Sequence, residues 1–327
     1  MPPSSHSKAS ALAALLVPLA LLCGCSSVSE GPARPSMLPF TPDFRLSDEG
    51  VQRGVQATQA QCAQVRYAVW APSAMQGNVC LRYWKAGFAA QGPTPRVLVF
   101  FHGDVWTGTA TSPDYLKLTD ATLQEQAEQW ARQIGMPYLF IGRPGTHGSS
   151  GEHMQRRRRG ESLQISAALD ALKARYGIQE WVVAGQSGGG HVTAALLGDR
   201  SDIVCAVPAS AVSSPKVRWW LRGWTVDSTG HADSYEPLDT LAKAGKHPAL
   251  RVFVVGSPGD TNTPWTMQLL LADRARAVGL PVEVLSGEGA GPSKHGMSQS
   301  ARRVAGWCGK GLSTDEIRQR GGAELKG

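Results

Sequence analysis

The sequence predicts an α/β fold with a mostly parallel central sheet and helices on both faces. Two observations predict it. Short, continuous apolar runs such as "RVLVFFHG" (96–103), "PYLFIGRPG" (137–145), "EWVVAGQS" (180–187), "DIVCAVPAS" (202–210), "LRVFVVGSPGD" (250–260) and "PVEVLSG" (281–287) recur along the chain. Between most of them lie stretches of helical period, "TLQEQAEQWARQIG" (122–135), "GESLQISAALDALKARYG" (160–177) and "TMQLLLADRARAVG" (266–279). Strands without polar alternation are buried on both faces, and helical crossovers between them keep them parallel. No internal repeat is visible. "VRYAVWAP" (65–72) and "NVCLRYW" (78–84) read as an antiparallel pair leading into this sheet.

The 327 residues are 42% hydrophobic and 18% charged, enough apolar material for a sizeable core and too much for a disordered chain. The formal net charge of +7 comes partly from one run, Arg156–Arg159. No interleaved aromatic and basic residues surround that run, so nucleic acid is not an expected partner. It reads as a solvated helix start or a rim that attracts anions.

The N-terminus carries an apolar stretch, "ASALAALLVPLALL" (9–22), preceded by a single lysine, Lys8. It is short for a membrane span and has the length of a signal-peptide core. The following "LCGCSS" resembles the lipobox of bacterial lipoproteins, which implies lipidation of Cys25 and a membrane anchor facing the periplasm or the cell surface. An ordinary secretory signal is the alternative, and both readings export the protein. Residues 1–25 are thus expected to be leader and 26–45, rich in Ser and Pro, a flexible tether. Of six cysteines, Cys23 and Cys25 belong to the leader region, which leaves Cys62, Cys80, Cys205 and Cys308. An even number in an oxidising compartment suggests two disulfides. Three pairings are possible. Cys62–Cys80 is preferred because a turn-like stretch, "APSAMQGN", separates the apolar segments that carry them, and Cys205–Cys308 follows.

Ser187 lies in Gly185-Gln186-Ser187-Gly188-Gly189, a Gly-x-Ser-x-Gly pattern between a predicted strand and a predicted helix. That setting suits a nucleophile elbow, in which glycines permit a tight backbone turn that lifts the hydroxyl clear of the sheet. A serine hydroxyl needs a base, and the base needs an orienting carboxylate. His295 follows the last strand in a glycine-rich loop and is the expected base. Asp260, in the loop after the penultimate strand, is the expected acid, ahead of Asp227, Asp233, Asp239 and Glu288. His191, one helical turn beyond Ser187, reads as a helix-surface or pocket residue, and His102 as a structural residue. An oxyanion hole requires two N–H donors. The backbone groups of Gly188 and Asp104 are placed to supply them, with the Asp104 side chain expected to point away.

With these pieces in order, "FFHGD", "GRPGTHGSSG", "GQSGGG", "GSPGD" and "KHG" resemble the α/β-hydrolase superfamily from about Val65 to Lys310. The Ser-Gly-Gly-Gly run resembles the elbow of esterases and of prolyl-oligopeptidase-type peptidases. Fewer than 100 residues precede the strand at Arg96, too few for the propeller of those peptidases, and the longer His-Gly-Gly-Gly oxyanion signature is missing. The resemblance implies a hydrolase domain over 46–312. The segment at about 210–248, too long for a simple connection between two strands, reads as a cap insertion, and the polar tail over 313–327 reads as loose, with "TDEIRQR" able to form a helical turn. Trp219, Trp220 and Trp224 in the cap could line an acyl or aromatic pocket or pack the cap onto the sheet. The expected function is an exported serine hydrolase acting on a small-molecule ester without cofactor or metal. A peptidase or amidase, or a hydrolase-fold binding module that has lost catalysis, are the alternatives.

Overall fold

The computed structural model describes residues 36–41, 46–106, 110–242 and 246–325. The leader expected over 1–25, including Cys25, lies outside them. Eight strands form the central sheet: β1 (Ala68–Ala71), β2 (Val79–Ala86), β3 (Arg96–Phe101), β4 (Tyr138–Ile141), β5 (Glu180–Gln186), β6 (Ile203–Ala209), β7 (Arg251–Gly256) and β8 (Val282–Ser286). Their spatial order is β1-β2-β4-β3-β5-β6-β7-β8. β2 runs antiparallel to both β1 and β4, and every other neighbouring pair is parallel.

The inner strands are apolar along most of their length because both faces are covered. In β3, Val97, Val99 and Phe101 pack on one face and Leu98 and Phe100 on the other; β7 divides in the same way between Val252 and Val254, and Phe253 and Val255. Helices α2 (Arg159–Tyr176), α3 (Gly188–Asp199) and α5 (Trp265–Ala277) cover the first face. The second is covered by α1 (Asp120–Ile134), α6 (Ser298–Gly309) and α7 (Thr314–Glu324). Local chemistry sets the helix ends. Thr119 and Thr122 form a reciprocal cap at the start of α1, and Gly135 and Gly177 close α1 and α2 in the left-handed conformation.

Two expected boundaries move. The tail after Ser313, expected to be loose, is α7: Ser313 caps it with Glu316, and Ile317 and Leu325 are buried against the sheet. The tether was expected to run to residue 45, yet Leu38–Pro39 pairs in parallel with Val55–Gln56, and Arg53 donates to the Ser36 carbonyl at 2.9 Å. The preferred cysteine pairing is the one formed. Cys62–Cys80 ties a short helix (Gln59–Ala63) to β2, and Cys205–Cys308 ties β6 to α6, with Cα–Cα distances of 5.5 and 6.3 Å.

The two bonds close loops of very different length, 18 and 103 residues. Restriction of the unfolded chain predicts contributions of about 3 and about 4.7 kcal/mol. Urea unfolding of a Cys62→Ala/Cys80→Ala variant and a Cys205→Ala/Cys308→Ala variant is expected to rank them in that order. Equal losses would show that chain entropy is not the main contribution.

Candidate active site

The parallel register of β3 and β5 pairs Phe101 with Gly185, so both strands end at the same level of the sheet. His102, Gly103 and Asp104 therefore emerge beside Ser187. Ser187 stands between β5 and α3 with φ 59° and ψ −117°, a conformation that non-glycine residues adopt only under constraint. Two flanking positions show the constraint. A Cβ on Gly189 would lie 2.1 Å from the Phe101 carbonyl oxygen, and one on Gly185 would lie 2.2 Å from that of Gly189. The serine N–H donates to Ala209 on β6, and the carbonyl accepts from Val212 and His191.

His295 and Asp260 come together in the loops after β8 and β7. His295 Nδ1 donates to Asp260 Oδ2 at 2.8 Å, while Asp260 Oδ1 accepts the backbone N–H groups of Asn262 and Thr263, each at 2.8 Å. The buried carboxylate can only accept, so Nδ1 carries the proton and Nε2 keeps its lone pair. Nε2 is buried and makes no hydrogen bond to another residue. Ser187 and His295 line the same cleft of about 510 Å³, together with Gly103, Asp104, Trp106 and residues of the cap. The structure therefore joins His295 to Asp260 directly and to Ser187 only through this shared cleft. Gln186 links the serine turn to the histidine loop by donating to the His295 carbonyl at 3.0 Å. Of the other acids considered from sequence, Asp227 pairs with Arg157, Asp233 with Arg158 and Glu288 with Lys294, and Asp239 does not line this cleft.

The N–H groups of Gly188 and Asp104 are committed to no backbone carbonyl among the described residues. Asp104 lines the cleft, and its carboxylate, expected to point away, is turned to three buried guanidiniums. Arg143 Nη1 donates to Oδ1 at 2.9 Å, Arg156 lies 3.2 Å from Oδ2, and Arg157 pairs with Oδ2. They hold the carboxyl well below the usual carboxylate range despite its burial. Arg157 also donates from Nε to Asp227 at 2.9 Å, and Arg143 from Nε to Glu161 at 2.8 Å. The run Arg156–Arg159 is thus not a solvated helix start: Arg156 and Arg157 are buried, and only Arg158 and Arg159 reach the surface. An acid directly after "FFHG" is the sequence signal for this cluster, since a buried carboxylate requires buried cations.

His102 fixes the loop as expected, donating from Nδ1 to the Gly103 carbonyl and accepting the Arg143 N–H on Nε2 at 3.0 Å. His191 is buried, not on the helix surface, and donates to the Val212 carbonyl at 2.9 Å. In the cap, helix α4 (Pro215–Leu221) carries the first two tryptophans. The three separate in role. Trp219 is buried and donates to Asp227, Trp220 faces solvent at 77% exposure, and Trp224 alone lines the cleft. A second cavity of about 460 Å³, beside Trp70 and Gln155, has no histidine or cysteine in its lining.

No family model matches the sequence, and no curated protein matches it. Solved structures do. An esterase of Pyrococcus furiosus is similar with a TM-score of 0.52 at 16% identity, over 82% of this chain and 97% of the esterase. The fluorophosphonate-binding serine hydrolase F of Staphylococcus aureus gives 0.50 at 15% identity, over 74% and 97%. The acylaminoacyl peptidase of Pyrococcus horikoshii gives 0.52 at 12% identity, over 78% of this chain; the chain spans only 45% of that enzyme's length. The molecule has the α/β-hydrolase fold.

Burial holds four histidines neutral. It pushes His147 down to about 3 and His191 to about 4, and His102 and His153 well below the ordinary value. The unfolded chain takes up these protons near pH 6.5 while the folded one does not. Stability is therefore complete above that pH and is lost as pH falls through the window below it, at about 1.4 kcal/mol per pH unit for each histidine. Asp104 and Asp227, also held low, extend the loss below about pH 4. Urea midpoints measured from pH 7.5 to 4.5 are expected to fall steadily below pH 6.5. A flat profile would contradict the neutral assignment.

Proposed function

We propose that this protein is an exported serine hydrolase that cleaves carboxylic esters through Ser187, His295 and Asp260. The observation that carries the proposal is the pairing of His295 with buried Asp260 in the cleft lined by Ser187 on its strained turn. The descriptions of proteins with similar folds, among them an esterase and a fluorophosphonate-binding hydrolase, support the same chemistry.

In this reading Ser187 Oγ attacks the ester carbonyl carbon as His295 Nε2 takes its proton. Asp260 stabilises the imidazolium and fixes its orientation. The carbonyl oxygen becomes an oxyanion held by the N–H groups of Gly188 and Asp104, with the positive end of α3 behind it. As the C–O bond breaks, the imidazolium gives its proton to the leaving alkoxide, and an acyl-serine remains. Water attacks that acyl group with His295 again as base. The carboxylic acid leaves and Ser187 regains its proton.

Export is supported by the leader and lipobox pattern ending at Cys25 and by the two disulfides, which an oxidising compartment maintains. The reading adds a lipid anchor at Cys25 facing the periplasm or the cell surface.

The test is kinetic. With 4-nitrophenyl butyrate, Ser187→Ala and His295→Ala are each expected to lower kcat by about a thousandfold or more, and Asp260→Asn by about a hundredfold or more. The double variant Ser187→Ala/His295→Ala should be little worse than either single one. Unchanged turnover in Ser187→Ala would remove the proposal.

A further inference from the structure

Five guanidiniums stand in or behind the cleft, and they fall into two groups. Arg143, Arg156 and Arg157 are each paired with at least one carboxylate. Arg218, in α4, and Arg222, just past its end, line the cleft itself and have no carboxylate partner among the described residues. What they share is a neutral oxygen. Arg218 Nη2 donates to Asn262 Oδ1 at 2.8 Å, and Arg222 Nη2 donates to the Asn262 carbonyl at 2.8 Å and reaches its Oδ1 at 3.4 Å. Arg218 Nε is buried and has no acceptor at all.

Among the described residues, no carboxylate supplies the missing charge. Asp104, the one acid in the cleft lining, is already surrounded by three cations. Asp260 is turned to His295 and to two backbone N–H groups. Burial and the like charges of Arg157 and Arg222 push Arg218 down to about 10, so its cationic form is held at a cost that an anion would relieve. Both guanidiniums also flank the Trp224 ring, at 5.6 and 5.0 Å from its centroid, so an apolar wall lies beside the charges.

We propose that the ester cleaved at Ser187 carries a carboxylate elsewhere in the molecule, and that Arg218 and Arg222 bind it across the face of Trp224. The proposal rests on the reading of Ser187 as the nucleophile. Paired guanidiniums match a carboxylate's two oxygens, and a partly desolvated site strengthens the contact. A neutral ester of the same size leaves both charges and the Arg218 Nε uncompensated.

The experiment compares mono-(4-nitrophenyl) adipate with its methyl-capped ester, which matches it in chain length and lacks the charge. Glutarate and suberate homologues cover shorter and longer reach. The full-length protein is expected to favour the anionic member of the best pair by about tenfold to a hundredfold in kcat/KM. Added NaCl should reduce that preference. The ratio is read within each variant, so a general loss of activity cancels. It should fall at least tenfold in Arg218→Gln and invert in Arg222→Glu; Arg222 is exposed, so its replacement leaves the fold intact. Turnover of the capped esters with no preference for the anionic ones, or a ratio unmoved by both substitutions, would overturn this proposal and leave the esterase reading standing. Turnover of none of these esters would overturn both.

Discussion

Arg157 holds the cleft together. Its guanidinium lies between Asp104, in the loop after β3, and Asp227, in the cap, while its own backbone N–H is accepted by Glu161 at the start of α2. Three segments far apart in sequence thus meet on one buried cation. Removing any single partner would leave a desolvated charge behind, which is why such clusters are far more costly to break than to omit. The Asp104 backbone is fixed by the same contacts, and with it one wall of the cleft. The cap is tied in by Asp227, which also accepts from Trp219.

The second constraint is steric. Ser187 keeps its left-handed backbone because β5, α3 and the end of β3 leave no room around Gly185 and Gly189 for side chains. The strain is supported by burial of the residues on either side of Ser187 and by hydrogen bonds from Ser187 to β6 and the segment beyond it. Asp260 and His295 approach from the opposite side on loops that follow β7 and β8, and Gln186 connects the two sides.

Much of this was legible in the sequence, because it depends on local pattern. Continuous apolar strands are forced by a two-sided sheet, glycines at 185 and 189 by close backbone approach, and the glycine at 188 by the Asp104 carboxylate and Arg143 beside it. The site residues on either side of the sheet follow strand ends, which patterning locates well. The arginine cluster was not legible. Four consecutive arginines look like a solvated run unless one already knows that an acid 52 residues earlier, Asp104, needs neutralising. Tertiary burial, not propensity, decided that Arg156 and Arg157 turn inward. The three tryptophans separated for a similar reason: neighbours in sequence on a short helix point in different directions, and only Trp224, beyond its end, reaches the cleft. The C-terminal segment read as polar, yet two apolar residues, Ile317 and Leu325, dock α7 onto the sheet.

The central claim is that Ser187 is an activated nucleophile. Its most direct test is to treat the protein with a fluorophosphonate probe and map the modified residue by mass spectrometry, alongside His295→Ala and Asp260→Ala. The account predicts phosphonylation at Ser187 in the parent protein and a collapse of labelling in both variants. A folded protein that stays unlabelled, or that labels at another residue, would contradict it.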